Sequence, residues 1–128
     1  MNSFNIKGFD HCELYVSNAK QAAHFYQTTF GFQTIAYKGL ETNSRDCVSY
    51  VLKQNKIRYV LTSPLTERSP INNHINYHGD GVKDISLTVS DAEKAWEDTT
   101  TKGAISVKKP EIIKDEYGEV IKATVKTF

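Results

Sequence analysis

From His11 to Val16 polar and apolar side chains alternate, His11, Glu13 and Tyr15 against Cys12, Leu14 and Val16. A period of two predicts a strand, Gly8 to Val16, with one face in a core. Ser17 and Asn18 follow as helix caps. Ala22, Ala23, Tyr26 and Phe30 then recur at helical spacing before Gly31, predicting a helix over 19–30 that stops at the glycine. Three runs rich in aromatic and β-branched residues, 32–38, 46–54 and 56–63, predict strands. The turn at Gln54-Asn55-Lys56 makes the last two a hairpin. Ser69-Pro70 reads as the cap and first residue of a short helix ending near Gly79.

The pattern then restarts. LYVSNAKQA, from Leu14 to Ala22, is echoed by LTVSDAEKA, from Leu87 to Ala95. Gly8, Val16, Ser17 and Ala22 are answered by Gly81, Val89, Ser90 and Ala95. A strand over 81–89 is predicted, then a helix over 92–102 with Ser90 and Glu93 as a capping box. Thr99-Thr100-Thr101 weakens the end of that helix, and Gly103 stops it. Two or three strands follow, at 105–108, 111–114 and 120–127, with a turn at Asp115-Glu-Tyr-Gly118. The chain therefore reads as an α+β fold of two modules, about 8–63 and 81–128, the first β-α-β-β-β and the second lacking its last strand. A period of about 70 residues is too long for a solenoid and suits two modules sharing one sheet. The strand faces turned away from the helices carry His11, Glu13 and Tyr15 in one copy and Asp84, Ser86 and Thr88 in the other. A cleft lined by these residues is where function is sought.

Composition narrows the classes. A chain of 128 residues is one ordinary domain. It carries a net charge of +1 with its charges mixed, which argues against nucleic-acid and membrane partners. No apolar run approaches the ~20 residues of a membrane span. The first residues lack the order of a signal peptide, so a cytoplasmic protein is expected. Cys12 and Cys47 read as free thiols of a reducing compartment, with a disulfide between them left open by sequence.

The candidate chemistry is sparse. His11 and Asp84 occupy equivalent places in the two copies and could hold a metal, but three or four ligands are needed. Tyr59, Leu61 and Ser63 offer no carboxylate or imidazole. His74 and His78, spaced i, i+4, lack the glutamate of a zinc-protease motif and read as capping or solvated residues. His24 reads as a surface residue, and Ser17 and Ser90 as caps rather than nucleophiles. No GxGxxG or phosphate loop occurs. Trp96 and Tyr26 read as core or interface. No catalytic, cofactor-binding or metal-binding residue is assigned.

Two stretches, AKQAAHFYQTTFGFQTIAYKGLETNSRDCVSYVLKQNKIRYVLTSPL and HGDGVKDISLTVSDAEKAW, resemble the amino-terminal domain of the 4-hydroxyphenylpyruvate dioxygenases. DEYGEVIKATVKTF fits the approach to that domain's last strand. The resemblance runs from about Gly8 to Phe128. It implies the vicinal-oxygen-chelate, glyoxalase/bleomycin-resistance-like fold: paired βαβββ modules forming one curved mixed sheet with helices on the convex face. It also implies a longer two-domain enzyme that uses Fe(II) and O2 to convert 4-hydroxyphenylpyruvate to homogentisate and CO2 in tyrosine breakdown. The family's iron ligands, two His and one Glu, lie in the carboxy-terminal domain, and none maps onto this chain. The implied partners are that catalytic domain and further copies in a homo-oligomer. Phe128 comes before the expected last strand, so a domain cut from a longer polypeptide is anticipated. The alternatives are the same domain of a hydroxymandelate synthase, a stand-alone small-molecule-binding module using His11, Glu13 and Asp84, and a metal isomerase of the glyoxalase type.

Overall fold

A computed structural model describes residues 4–116 and 118–126. Tyr117 of the expected turn and Thr127 of the expected last strand lie outside them. The chain divides into two compact units, one spanning 9–86 and the other 1–8 with 87–128.

The larger unit is built around β1 (Ile6–Tyr15), α1 (Ala19–Phe30), β2 (Gln33–Lys38), β3 (Cys47–Gln54), β4 (Ile57–Pro64), α2 (Pro70–His78) and the first part of β5 (Gly81–Val89). The sheet order is β2-β3-β4-β1-β5. Strands β2, β3 and β4 pair antiparallel, whereas β1 and β4 run parallel, with Cys12 beside Tyr59 and Leu14 beside Leu61. Helix α1 supplies the connection that turns the chain back for that pairing. Its first turn is closed by the Asn18 side chain, which accepts from the Gln21 amide. Its last turn is closed by Gly31 at φ 77°, a conformation that strains a residue with a Cβ.

Alternation along the strands becomes two faces. Leu14, Leu61, Leu52, Tyr50 and Tyr59 turn toward α1 and close a core with Val16, Ala19, Ala23 and Phe32. Leu52 and Leu61 are fully buried. Phe32 stacks on Tyr59 at 5.2 Å, and Tyr26 meets both rings edge-on.

The second unit holds the end of β5, α3 (Ala92–Thr101), β6 (Ile105–Asp115) and β7 (Gly118–Lys126). Three details differ from the sequence reading. The cap of α3 is Asp91, accepting from the Lys94 amide, not Ser90. Ser90 is taken by the chain ahead of β1, its hydroxyl accepting from the Asn5 amide and its own amide donating to the Asn5 carbonyl. Ser17 is likewise no cap, because its amide and hydroxyl both donate to Asp80 at 2.9 and 2.6 Å. In each repeat the serine is spent on a distant segment and the next residue, Asn18 or Asp91, caps the helix. Finally, 105–108 and 111–114 are one strand, β6, whose register against β7 shifts twice between Ser106 and Glu111. Pro110 has no amide to donate and sits inside that irregular stretch.

Strands β6 and β7 pair with each other as a two-stranded sheet. In the first repeat β4 bridges β3 to β1. Among the described residues the second repeat has equivalents of β1, α1, β2 and β3 but none of β4.

Candidate functional site

The face of the larger sheet turned away from α1 follows from register. Glu13 lies beside Val60 and Tyr15 beside Thr62; Val60 and Thr62 in turn face Val51 and Ser49. Near the start of β4, Arg58 faces Lys53. The face therefore runs from a cationic end, through paired valines, to a hydroxyl and carboxylate end.

At the hydroxyl end Thr62 is buried and donates to Glu13 Oε2 at 3.1 Å. Its one proton is thereby used, so the 2.8 Å contact with Ser49 Oγ has serine donating. Ser49, Thr62 and Glu13 form a directional relay ending on a carboxylate. Tyr15 lies alongside, its ring edge-on to His74 of α2 at 5.3 Å, with the Lys83 ammonium 5.9 Å from its centroid. Burial pushes the Tyr15 phenol up, helped by Glu13, Cys47 and Asp84. Burial also holds His74 below the ordinary 6.5, with His78 and Lys83 adding to the effect. His74 is thus packed on this face rather than solvated, and its Nδ1 is buried without a partner among the described residues. His78 is exposed in the last turn of α2, its ring 4.9 Å from that of His74.

His11 does not pair with Asp84. Its Nδ1 contacts Asp10 Oδ2 at 2.6 Å, and the other oxygen of Asp10 is 3.7 Å from Arg58 Nη1. Asp84 raises the pKa values of Cys12 and Tyr15, second to burial for the thiol and last of four causes for the phenol. Sequence reasoning did not single out Asp10 and Arg58. The adjacency of Asp10 and His11 was readable, but Arg58 needed the parallel β1–β4 register.

Cys12 points to the α1 side of the sheet with Tyr59, whereas Cys47 lies on the opposite face with Pro64. That geometry excludes a disulfide without backbone movement, and both thiols are free. Burial and Asp84 keep Cys12 protonated, the wrong state for a nucleophile. Among the described residues no three His, Cys, Asp or Glu side chains come together as metal ligands. His11 and Asp84 lack a third donor, so these residues do not fit an iron centre. No helix of the described residues is long and apolar enough to cross a membrane.

Comparison with known proteins adds to this picture. The sequence profile of the Glyoxalase/Bleomycin resistance protein/Dioxygenase superfamily matches residues 8–121. The 4-hydroxyphenylpyruvate dioxygenase of Dictyostelium discoideum is 46% identical over 121 residues, covering 94% of this chain and 33% of that protein. The Xenopus tropicalis enzyme of the same name is 46% identical, covering 94% and 31%. The chain thus spans about a third of the length of the curated relatives it matches. Among solved structures, a 4-hydroxymandelate synthase variant from Streptomyces coelicolor superimposes with a TM-score of 0.88 at 25% identity, over 94% of this chain and 35% of that one. A methylmalonyl-CoA epimerase variant from the same organism shares the fold, with a TM-score of 0.72 at 20% identity, covering 92% and 89%. With the duplicated strand–helix unit and a profile match over most of its length, the chain belongs to the Glyoxalase/Bleomycin resistance protein/Dioxygenase superfamily.

Proposed function

We propose that this chain is the amino-terminal, non-catalytic domain of a cytoplasmic, Fe(II)-dependent 4-hydroxyphenylpyruvate dioxygenase. In that reading residues 1–128 form one domain of two modules, and a carboxy-terminal domain binds the iron and turns 4-hydroxyphenylpyruvate and O2 into homogentisate and CO2. The observation that carries it is the 46% identity to enzymes of that name over 121 residues, confined to a third of their length. The donor set is in keeping with it, since His11 is tied to Asp10 and, among the described residues, Asp84 belongs to no group of three potential ligands. The domain's work is then to pack against its catalytic partner and to contribute homo-oligomer contacts. The superposition on a 4-hydroxymandelate synthase favours one second reading, the same domain in an enzyme that hydroxylates the side chain of the substrate.

The test begins with the gene. Sequence following Phe128 should encode a second module pair with two histidines and a glutamate. The full product, loaded with Fe(II), should convert 4-hydroxyphenylpyruvate to homogentisate, and the 128-residue chain alone should not. Release of 4-hydroxymandelate would select the second reading. Turnover by the 128-residue chain itself would overturn both.

A further inference from the structure

We propose that the second half of α2, residues 74–78, is an acid-operated flap: it lies against the sheet while His74 is neutral and lifts when that ring takes a second proton. The inference rests on contacts within residues 9–86 and does not depend on the dioxygenase reading.

The two halves of α2 are held differently. The first is anchored by its buried cap Ser69, by buried Ile71 and by Asn72, whose side-chain amide donates to the Thr66 carbonyl at 2.7 Å. In the second half Asn76, Tyr77 and His78 are exposed, and only His74 and Ile75 are partly withdrawn from water. His74 meets Tyr15 of β1 edge-on at 5.3 Å, a ring contact that joins this half of the helix to the sheet. Beyond the helix, Asp80 accepts from the Ser17 amide and hydroxyl, so a lifted segment stays tethered at both ends.

The contact suits a neutral ring alone. His74 Nδ1 is buried without a partner among the described residues. An imidazolium carries a proton on each nitrogen, so Nδ1–H would be charged, buried and without an acceptor, a far costlier state than a bare lone pair. Among the described residues no carboxylate forms an ion pair with His74. The charges that bear on it are His78 on its own helix, 4.9 Å from ring to ring, and Lys83 on β5, and both oppose protonation. Glu13 from β1 and Asp84 from β5 act on the neighbouring Tyr15 phenol, and the Tyr15 ring already has the Lys83 ammonium 5.9 Å from its centroid. Strand β4 also packs against α2; its titratable side chains are Arg58, directed to Asp10, and Tyr59, packed against the core under α1. Lifting lets water solvate the cation. Because burial holds the folded ring below its ordinary 6.5, closure is at full strength above about pH 6.5 and is lost as pH falls through the folded value.

Amide hydrogen exchange of the 128-residue chain, followed by NMR at about pH 7.5 and about pH 5, reads the flap directly. After correction for intrinsic rates, the amides of residues 75–79 should lose at least tenfold in protection at the lower pH while those of Leu52 and Leu61 keep theirs. The loss should follow the titration of the His74 ring resonances, not those of exposed His78. His74→Phe keeps a ring against Tyr15 and has no proton to gain, so its flap should hold its protection at both pH values. His78→Gln should still open in acid, since burial comes before His78 among the causes acting on His74. If His74→Phe fails to fold, the match between opening and ring titration in the unaltered chain decides alone. Unchanged protection of 75–79, an equal loss at Leu52 and Leu61, opening that tracks His78, or an acid response kept by a folded His74→Phe chain overturns the proposal.

Discussion

Leu61 is a single residue on which two levels of structure depend. It is fully buried, lies beside Leu14 on one strand and Tyr50 on another, and belongs to the core under α1. Leu61→Ala should cost about 2–5 kcal/mol, read as a fall in Tm or denaturant midpoint, because the rigid sheet cannot collapse into the space. A loss below 1 kcal/mol would mean the core there is loose. His74 calls for a pH argument. Its folded pKa is lowered below 6.5 by burial, then by His78 and Lys83, so the unfolded chain binds its proton more readily. The stabilising contribution is complete above about pH 6.5 and is lost as pH falls through the folded value. His74→Phe keeps a ring against Tyr15 and should flatten that part of the stability–pH curve. At exposed Tyr37 the coupling is local, since its hydroxyl donates to Glu41 at 2.7 Å, raising the phenol to about 12 and lowering the carboxyl. Much at this scale was legible: alternation alone placed Leu14 inside and His11 and Glu13 outside. The approach of Arg58 to Asp10, the neighbour that holds His11, was not, because it depends on strand pairing between distant parts of the chain.

At the scale of elements the caps show where local signals stop. Ser90 with Glu93 has the form of a capping box, yet Asp91 is one residue along and is an equally good cap. The choice is made by Asn5, whose backbone claims Ser90 from the far end of the chain. Asp91→Ala should therefore weaken α3 by about 1 kcal/mol. Ser90→Ala should leave the helicity of α3 intact while loosening residues near Asn5, which amide exchange would register. Loss of α3 helicity in Ser90→Ala with none in Asp91→Ala would restore the capping-box reading. The predicted break between two short strands at Pro110 reflects the same limit. A proline predicts the end of a strand, but shifted register in β6 can carry it.

Across the whole molecule the two repeats are unequal in what they bury. The first closes Leu52, Leu61, Ala19 and Ala23 from water, and its most buried run, Leu61 to Ser63, lies on β4. The second has no equivalent of β4 among the described residues. Its helix α3 has no buried residue, and Ile112, Ile121 and Val125 on the hairpin stay exposed. Local stability follows buried apolar contact, so opening free energies should divide along the same line. Amide hydrogen exchange should find α1, β3 and β4 protected at least tenfold more than α3, β6 and β7. In the longer polypeptide proposed above, a fourth strand beside β7 would raise the protection of α3, β6 and β7 and leave α1 nearly unchanged. Equal protection of the two repeats in the 128-residue chain would show that the hairpin and α3 are stable without that strand. The duplication itself was plain in two nine-residue phrases; the inequality of the copies depends on burial, which no phrase of sequence records.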